Sequence, residues 1–585
     1  MIGQQNTAVT ASLPAPIGGW NARDSLAAMP QTDAVNLTNF WPTPTDVELR
    51  KGWTVYSSGI SGTVNTMMTY ASPFGQQLFA VAGGTIYNCT TKGAATAVFS
   101  GLTSDKLQWV SFSNIGGYYI VACNGADPVI AYDGTHWFKI ANVSTGQTIS
   151  SITHVGTTAT LTTASAHGLV TGNRVVITGA TPNDYNGSFI ITVTGATTFT
   201  YTMLTTPSGN ATVVGTYVPI GISGVDPTTL ININLFQNRL YFTQENTLRC
   251  WYLPVNSLGG VAQVLDFGGI ARNGSFLQAM GTWTIDGGQG SNDKAVFVTK
   301  NGEVIVYQGG DPSDSTTWAL VGVWQFGEVF ARKCFFKFGS DLLLLMKEGL
   351  VPLSAALQSD RLNPRVFLTD KIYYEINREI ALYADNYGWQ ITYFADETML
   401  LINIPSGDGI QQYVMNTITD AWANFTNIST TCFTLFNDQL YFGGAGYVGK
   451  FWDGNSDNGT NIYGNAQQAY SYFNTPGQNK RFTLIRPIIQ SDNGVPTVLC
   501  NISTDFNTQP PVGQLSFNPA LLNVGNWDSA KWDAQNWGGG YVTTKDWQGV
   551  TGIGFSASVN MNVLSQGIDF HWISTDYVFN KGGVL

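Results

Sequence analysis

Charge is scarce in this sequence. Of its 585 residues only 27 are Lys or Arg and 38 are Asp or Glu, so 11% is charged, against roughly 25% in an ordinary soluble domain. With 43% apolar and 13% aromatic residues, the chain has the opposite balance to a disordered protein and enough apolar surface to bury large cores. A net charge of −11 offers no basic patch to neutralise phosphates, which excludes tight non-specific DNA binding and leaves only weak contact. Cysteine is sparse too. Cys89, Cys123, Cys250, Cys334, Cys432 and Cys500 lie far apart, without the close pairs of metal sites or small disulfide scaffolds, and are expected to be buried free thiols. No stretch approaches ~18 consecutive apolar residues, and Met1 to Trp20 has no basic segment leading into an apolar run, so neither a membrane span nor a signal peptide is expected. Helical periodicity is almost missing. The best candidate is Asp370 to Asp385, where Ile372, Ile376, Ile380 and Tyr383 recur at helical spacing.

What is present is β-structure. Apolar and polar residues alternate over short runs rich in Thr, Val, Tyr and Phe, punctuated by Gly, Asn and Asp, which predicts an all-β chain. A loose unit of strand, Gly/Asn turn and second strand recurs seven times: Gln76 to Thr90, Gly117 to Ile140, Asn238 to Leu253, Lys294 to Gly310, Asp341 to Ser354, Met399 to Asn416 and Asp438 to Gly454. A hairpin alone cannot bury both faces, but small sheets stacked around an axis can, so the series predicts a β-propeller. The spacing breaks once, between Ile140 and Pro219, where a Thr-rich, Trp-free stretch with strand-like runs at Thr157 to Thr162, Arg174 to Thr178, Phe189 to Val193 and Thr198 to Met203 reads as a small inserted β-barrel. After about Gln478 the strands lengthen, as in Arg481 to Gln490 and Val495 to Phe506, and a β-sandwich-like module is expected. Trp527, Trp532 and Trp537 recur within it and need cover from the adjacent sheet or another subunit.

Signatures of catalysis are scant. The four histidines, His136, His154, His167 and His571, stand in no recognisable catalytic setting, and no nucleophile elbow, zinc-protease helix or phosphate-loop motif is found. Gly287 to Gly290 precedes a strand and reads as a turn. Asp453, Asn455 and Asp457 alternate like calcium ligands, but Asn458 stands where the loop needs Gly, and Gly464 where a closing Glu is needed, so an Asx-rich turn is expected. Asp311 to Trp318 approaches a sialidase Asp-box, with Ser313 and Ser315 where that motif wants Asp and Gly. The expected sets of catalytic, cofactor-binding and metal residues are therefore empty, and the chain is expected not to be an enzyme.

Four separated stretches carry a resemblance: Gly18 to Trp53, Tyr387 to Phe425, Leu440 to Gly459 and Tyr470 to Ile489. They resemble the podovirus tail-tube or nozzle protein family, which includes tail tubular protein B and the packaged-DNA stabilisation proteins. The Thr-rich insert is similar to the first catalytic-cysteine half-domain of ubiquitin-activating enzyme, without a matching cysteine. The resemblance implies a virion structural protein: a homohexameric nozzle at the distal end of a short phage tail, assembled in the host cytoplasm, that retains packaged DNA and conducts it during ejection. Implied partners are other copies of the chain, the portal adaptor ring, tail fibres or a needle or plug protein, and genomic DNA passing weakly through the lumen. The expected domains are a docking segment at 1–60, a propeller at 61–147 and 217–478, the insert at 148–216, and a C-terminal β platform at 479–585. Two alternatives stand beside this. One is a receptor-binding or glycan-degrading tail propeller, whose mark would be a funnel lined by Trp and paired carboxylates. The other is a secreted adhesion protein, suggested by Asn-x-Ser/Thr triplets at Asn36, Asn142 and Asn424.

Overall fold

The computed structural model describes residues 8–286, 291–357, 364–407, 410–492, 496–508, 513–514 and 541–584. Strand accounts for 56% of the described residues and helix for 5%, more than twice the roughly 20–25% strand of an average globular protein. The fold is all-β and propeller-type. Two compact units divide it, one formed by 57–362 and the other by 1–56 with 363–585.

The first unit is a series of sequence-local antiparallel sheets: four of four strands, at 66–100, 108–139, 230–266 and 277–325, and one of three at 335–352. Their second strands carry apolar runs, Leu78 to Ala82, Ile120 to Cys123, Leu240 to Phe242, Ala295 to Val298 and Leu342 to Met346, because the inner sheets of the series are covered on both faces. In Gly117–Cys123, Ile120 and Ala122 pack with Met68, Phe79 and Val81 of the preceding sheet. Val121 and Cys123, pointing the other way, pack with Leu230, Leu240 and Phe242 of the following one. Tyr241, next to Phe242, faces onward to Phe297 and Ile305. The period-two alternation of a strand thus becomes alternation between neighbouring sheets, which is how propeller blades cover each other. The fourth and fifth sheets approach so closely that a Cβ on Gly281 would lie 2.9 Å from Leu342 and 3.0 Å from Phe335. All seven hairpins expected from the sequence form as antiparallel pairs, five in this unit and two in the other.

The insert leaves after the second blade and contains two sheets, one built on Thr158–Thr163 and Thr198–Thr202, the other on Arg174–Thr181 between Gly187–Ile190 and Val213–Pro219. They share a core of Ile152, Leu161, Val175, Ile177, Tyr185, Phe199 and Tyr217. The last strand runs past the expected boundary at 216, because Pro219 is still in register with Val175. A bridge between Ala141 and Gly221 brings entry and exit together, so the insertion leaves the blade series intact.

The second unit is stitched from distant segments. The meander at 390–425 continues through Asp33–Thr38, Ile462–Gln468, Ala557–Ser565 and Thr497–Thr504 into a ten-stranded sheet. A seven-stranded sheet centres on the pairing of Gln478–Ser491 with Phe570–Val584 and takes in Ala8–Pro14, Phe40–Pro42 and Val47–Leu49. The two sheets meet face to face: a Cβ on Gly464 would strike Leu49 and Phe40, and one on Gly552 would strike Ile502. The strands between Ala8 and Leu49 are therefore integral to this unit rather than a separate docking arm, since their backbone groups are paired within its sheets. Asn39 lies between Asp33–Thr38 of one sheet and Phe40–Pro42 of the other, at φ +58°, a left-handed turn that Asn tolerates better than most residues. The expected helix forms as Tyr373–Tyr383 after a 3-10 turn at Asp370–Ile372, and buries Ile372, Ile376 and Ile380.

Candidate functional site

The second unit holds two clusters of charge, the first buried and the second half-buried, where its early and late segments meet. The first surrounds the corner at Asn39. Arg50 has 0% side-chain exposure and makes a two-pronged ion pair with Asp457, Nη1 to Oδ1 and Nη2 to Oδ2, each 2.7 Å. Its Nε donates to Asn39 Oδ1 at 2.8 Å, Nη1 to the Lys51 carbonyl at 3.0 Å, and Nη2 to the Thr426 carbonyl at 2.9 Å. All five guanidinium N–H groups are thereby used. Asn39 in turn receives the Thr426 N–H at 2.8 Å and donates to the Tyr463 carbonyl at 2.9 Å. The calcium-like loop of the sequence thus has a different occupation: Asp457 is held by Arg50, and Asp453 accepts from Thr54 Oγ1 at 2.5 Å.

The second cluster forms because Val47–Leu49 pairs with Phe570–Val584, placing Glu48 opposite His571. His571 Nδ1 donates to Asp46 Oδ2 at 2.8 Å, and its Nε2 lies 3.7 Å from Asp569 Oδ2. Lys51 Nζ sits 2.7 Å from Asp569 Oδ1, and the Tyr541 hydroxyl donates to Asp569 Oδ2 at 2.9 Å. Burial pulls the His571 pKa down, but hydrogen bonds to Asp46 and Asp569 outweigh it and raise the imidazole to about 10. Burial works against the Asp569 carboxylate as well, yet His571 and Lys51 hold it well below the usual range. Glu48 goes the other way, pushed by burial up to about 7. The hydrogen bond to Asp569 raises the Tyr541 phenol to about 12.

Ligand atoms of Glu48, Asp569 and His571 lie within 4.8 Å of one another, close enough for a divalent cation to bridge. The donor set does not suit one: the imidazole is protonated and Lys51 already neutralises Asp569. The chemistry available is that of an ionic latch, in which the His571 and Lys51 cations and the Asp46 and Asp569 carboxylates fasten residues 46–51 to the segment that opens the strand at Phe570–Val584, with Glu48 beside them.

The other residues singled out in the sequence are not gathered together. His136 lies exposed in the turn begun by Asp133, His154 is half-buried beside the Gly156 carbonyl, and His167 is buried between the Leu169 N–H and the Gly195 carbonyl. Asp311 caps its own turn through Ser313 and pairs with Arg239 at 2.7 Å. All six cysteines are buried free thiols. Of the triplet asparagines, Asn36 bonds Asn465 and Asn424 bonds Gln411. Gly287 to Gly290 and Trp527, Trp532 and Trp537 lie outside the described residues. Sequence reasoning missed the latch because its two halves are separated by most of the chain. The alternation Asp46, Glu48, Arg50 was its one local sign.

No family model and no curated protein matches the chain. Among solved structures it is similar to YCF48 bound to D1 peptide, at 10% identity and TM-score 0.26 over 68% of this chain and 94% of that one. It is similar to BBS1N in complex with ARL6DN at 8% identity and TM-score 0.34, over 69% and 97%. A phage phi92 endosialidase follows at 12% and 0.16, over 72% and 56%. Likenesses this distant say nothing about activity; the fold rests on the sheets and their packing.

Proposed function

We propose that this chain is a virion structural protein, the nozzle of a short-tailed bacteriophage: a homohexameric ring in the tail that retains packaged DNA and conducts it during ejection without turning over a substrate. One observation carries the reading. The four stretches that resemble the tail-tube family are far apart in sequence, yet all fall in one compact unit, where the first bonds to the second and third and shares the partner strand Phe570–Val584 with the fourth. Asp33–Thr38 pairs with Ala421–Phe425 and Ile462–Gln468, Arg50 grips Asp457, and both Val47–Leu49 and Gln478–Ser491 pair with Phe570–Val584. A resemblance made of scattered coincidences has no reason to converge in this way.

In this reading the partners are the portal adaptor ring, tail fibres or a needle or plug protein, and the DNA itself. Six copies at −11 each carry −66, and a wall rich in Asp, Asn and Gln lets a duplex slide where basic residues would hold its phosphates. Native mass spectrometry of the purified chain and cryo-electron microscopy of the tail test the proposal. The expected result is a six-fold ring with such a wall. A monomer or trimer that depolymerises host polysaccharide overturns it in favour of a receptor-binding or glycan-degrading propeller, and a channel lined mainly by Lys and Arg overturns the sliding argument.

A further inference from the structure

In the insert, Val175 and Ile177 enter the core, which turns Arg174 to the opposite side of its strand, where it lines a cleft of about 640 Å³. The remaining walls are the turn Asn183–Tyr185, the strand Gly187–Ile190, Leu204 and Thr205 after Thr202, and His136 from the second blade. The volume is in the usual range for a small-molecule site.

Three features define what fits. Arg174 is rigidly mounted: its guanidinium lies 4.7 Å over the Phe138 ring and Nη1 is 2.5 Å from Asp133 Oδ2, while its buried Nε has no hydrogen-bond partner. The guanidinium is thus fixed in the cleft wall by its ring and carboxylate contacts, with its edge presented to a ligand. Next, Asp184 uses Oδ1 on the Thr205 hydroxyl, and Asn183 uses Oδ1 on Asn186 Nδ2 at 3.0 Å. An acceptor oxygen of Asp184, the amide N–H₂ of Asn183 and the exposed hydroxyl of Ser188 remain for a ligand. Finally, the apolar side is held in place: Phe189 stacks on buried Tyr201 at 4.6 Å, beside Ile190, and Leu204 is 99% exposed.

Charge then selects the ligand class. The carboxylates of Asp133 and Asp184 outnumber the Arg174 guanidinium, so an anion is repelled. A polyamine satisfies the carboxylates but meets the like charge of Arg174 in the same wall. A neutral polyhydroxyl compound with one C–H face supplies acceptors to Arg174 and Asn183, a donor to Asp184, and apolar surface to Leu204 and Ile190. We propose that this cleft binds a short neutral saccharide, without hydrolysing it and irrespective of whether the chain forms a ring.

The test uses the full chain at about pH 8, where an ordinary histidine is neutral. Maltotriose, lactose and N,N′-diacetylchitobiose are titrated by saturation-transfer NMR and calorimetry, with sialyllactose and spermidine as charged probes. At least one neutral sugar is expected to bind with a Kd of roughly 1 mM. Asn183→Ala with Ser188→Ala is expected to weaken it about tenfold, from two lost hydrogen bonds. Both side chains are exposed, so the thermal melt should not move, and this variant reads binding rather than folding. The proposal is overturned if no neutral sugar binds below about 10 mM, if a charged probe binds more tightly, or if the double variant binds as the parent does.

Discussion

The two units reach the same strand-rich end by opposite routes. In the 57–362 unit, each blade is one continuous stretch of chain, and its stability comes from apolar side chains alternating between neighbouring sheets, such as Ile120 and Val121. In the other unit, strands from the first fifty residues lie between strands from the last two hundred, and the joints contain ions, buried for Arg50 with Asp457 and half-buried for His571 with Asp46, Asp569 and Lys51. Even Lys480 is fully buried, its three donors on the carbonyls of Thr475, Gln478 and Phe555. Local hairpins find their register through a short turn, whereas strands joined across most of a chain must be brought together against a larger closure entropy. A buried ion satisfied in only one register penalises every slip, which is the best-attested use of such groups.

The largest effect that would sharpen this contrast is Arg50→Ala, which strands Asp457 in the interior. It is expected to lower the stability of the stitched unit by about 3–5 kcal/mol, read as a shift of that unit's transition in urea while the blade unit's transition stays in place. The double change Arg50→Met with Asp457→Leu should recover most of the loss. If both transitions move together, the units do not differ in the way argued.

The latch gives a pH signature confined to one unit. The folded pKa of His571 is raised from 6.5 to about 10, so its contribution is fully present below the unfolded value and lost as pH rises through the folded one. The full shift corresponds to ~5 kcal/mol, and solvent screening of these half-buried groups brings the expected loss between those limits down to on the order of 2 kcal/mol; His571→Gln should flatten that slope. Asp569, held low, adds a contribution present above its unfolded value of 3.8 and lost at more acid pH. An unchanged slope in His571→Gln would remove the latch from the account.

The blade unit should respond to packing instead. Gly281→Ala places a methyl group against Leu342 and Phe335 and is expected to cost about 1–2 kcal/mol by overpacking, with no dependence on pH between neutrality and the His571 range. Differential scanning calorimetry at two pH values measures both parts of that statement.

The same contrast explains what could be read in advance. Every blade hairpin was legible because its signal, an apolar run such as Leu342 to Met346 beside a Gly turn, is contained in about fifteen residues. The insert is legible from its Thr-rich text, but its last strand, Val213–Pro219, is not among the expected runs and crosses the expected boundary at 216, because its partner Arg174–Thr181 lies some forty residues earlier. Placing residues 1–60 in a separate segment failed for the opposite reason. Nothing near Ala8–Pro14 indicates that its partner is Ser574 to Asn580. His571 was seen but not understood, because its meaning depends on Asp46 and Glu48, which reach it only through strand pairing. The saccharide cleft was equally hidden: Arg174, Asn183 and Leu204 look like ordinary turn and strand residues until the fold encloses a space between them.

The smallest expected effect is also the least intuitive, because it predicts a gain. Glu48 belongs to the latch but opposes it: burial raises its carboxyl from 4.5 to about 7, so folding favours its protonated form. A raised acid binds its proton more tightly in the folded state, and stability therefore falls as pH climbs from its unfolded value through its folded one. Above that window the stitched unit holds a poorly compensated carboxylate, 3.9 Å from a His571 already engaged by Asp46. Glu48→Gln keeps the shape and removes the charge, and at about pH 8 it should raise the stability of that unit by roughly 1 kcal/mol while having no effect near pH 4, where the carboxyl is protonated in both states. A variant that destabilises at both pH values would make Glu48 a working member of the latch and would require the charge balance at this joint to be redrawn.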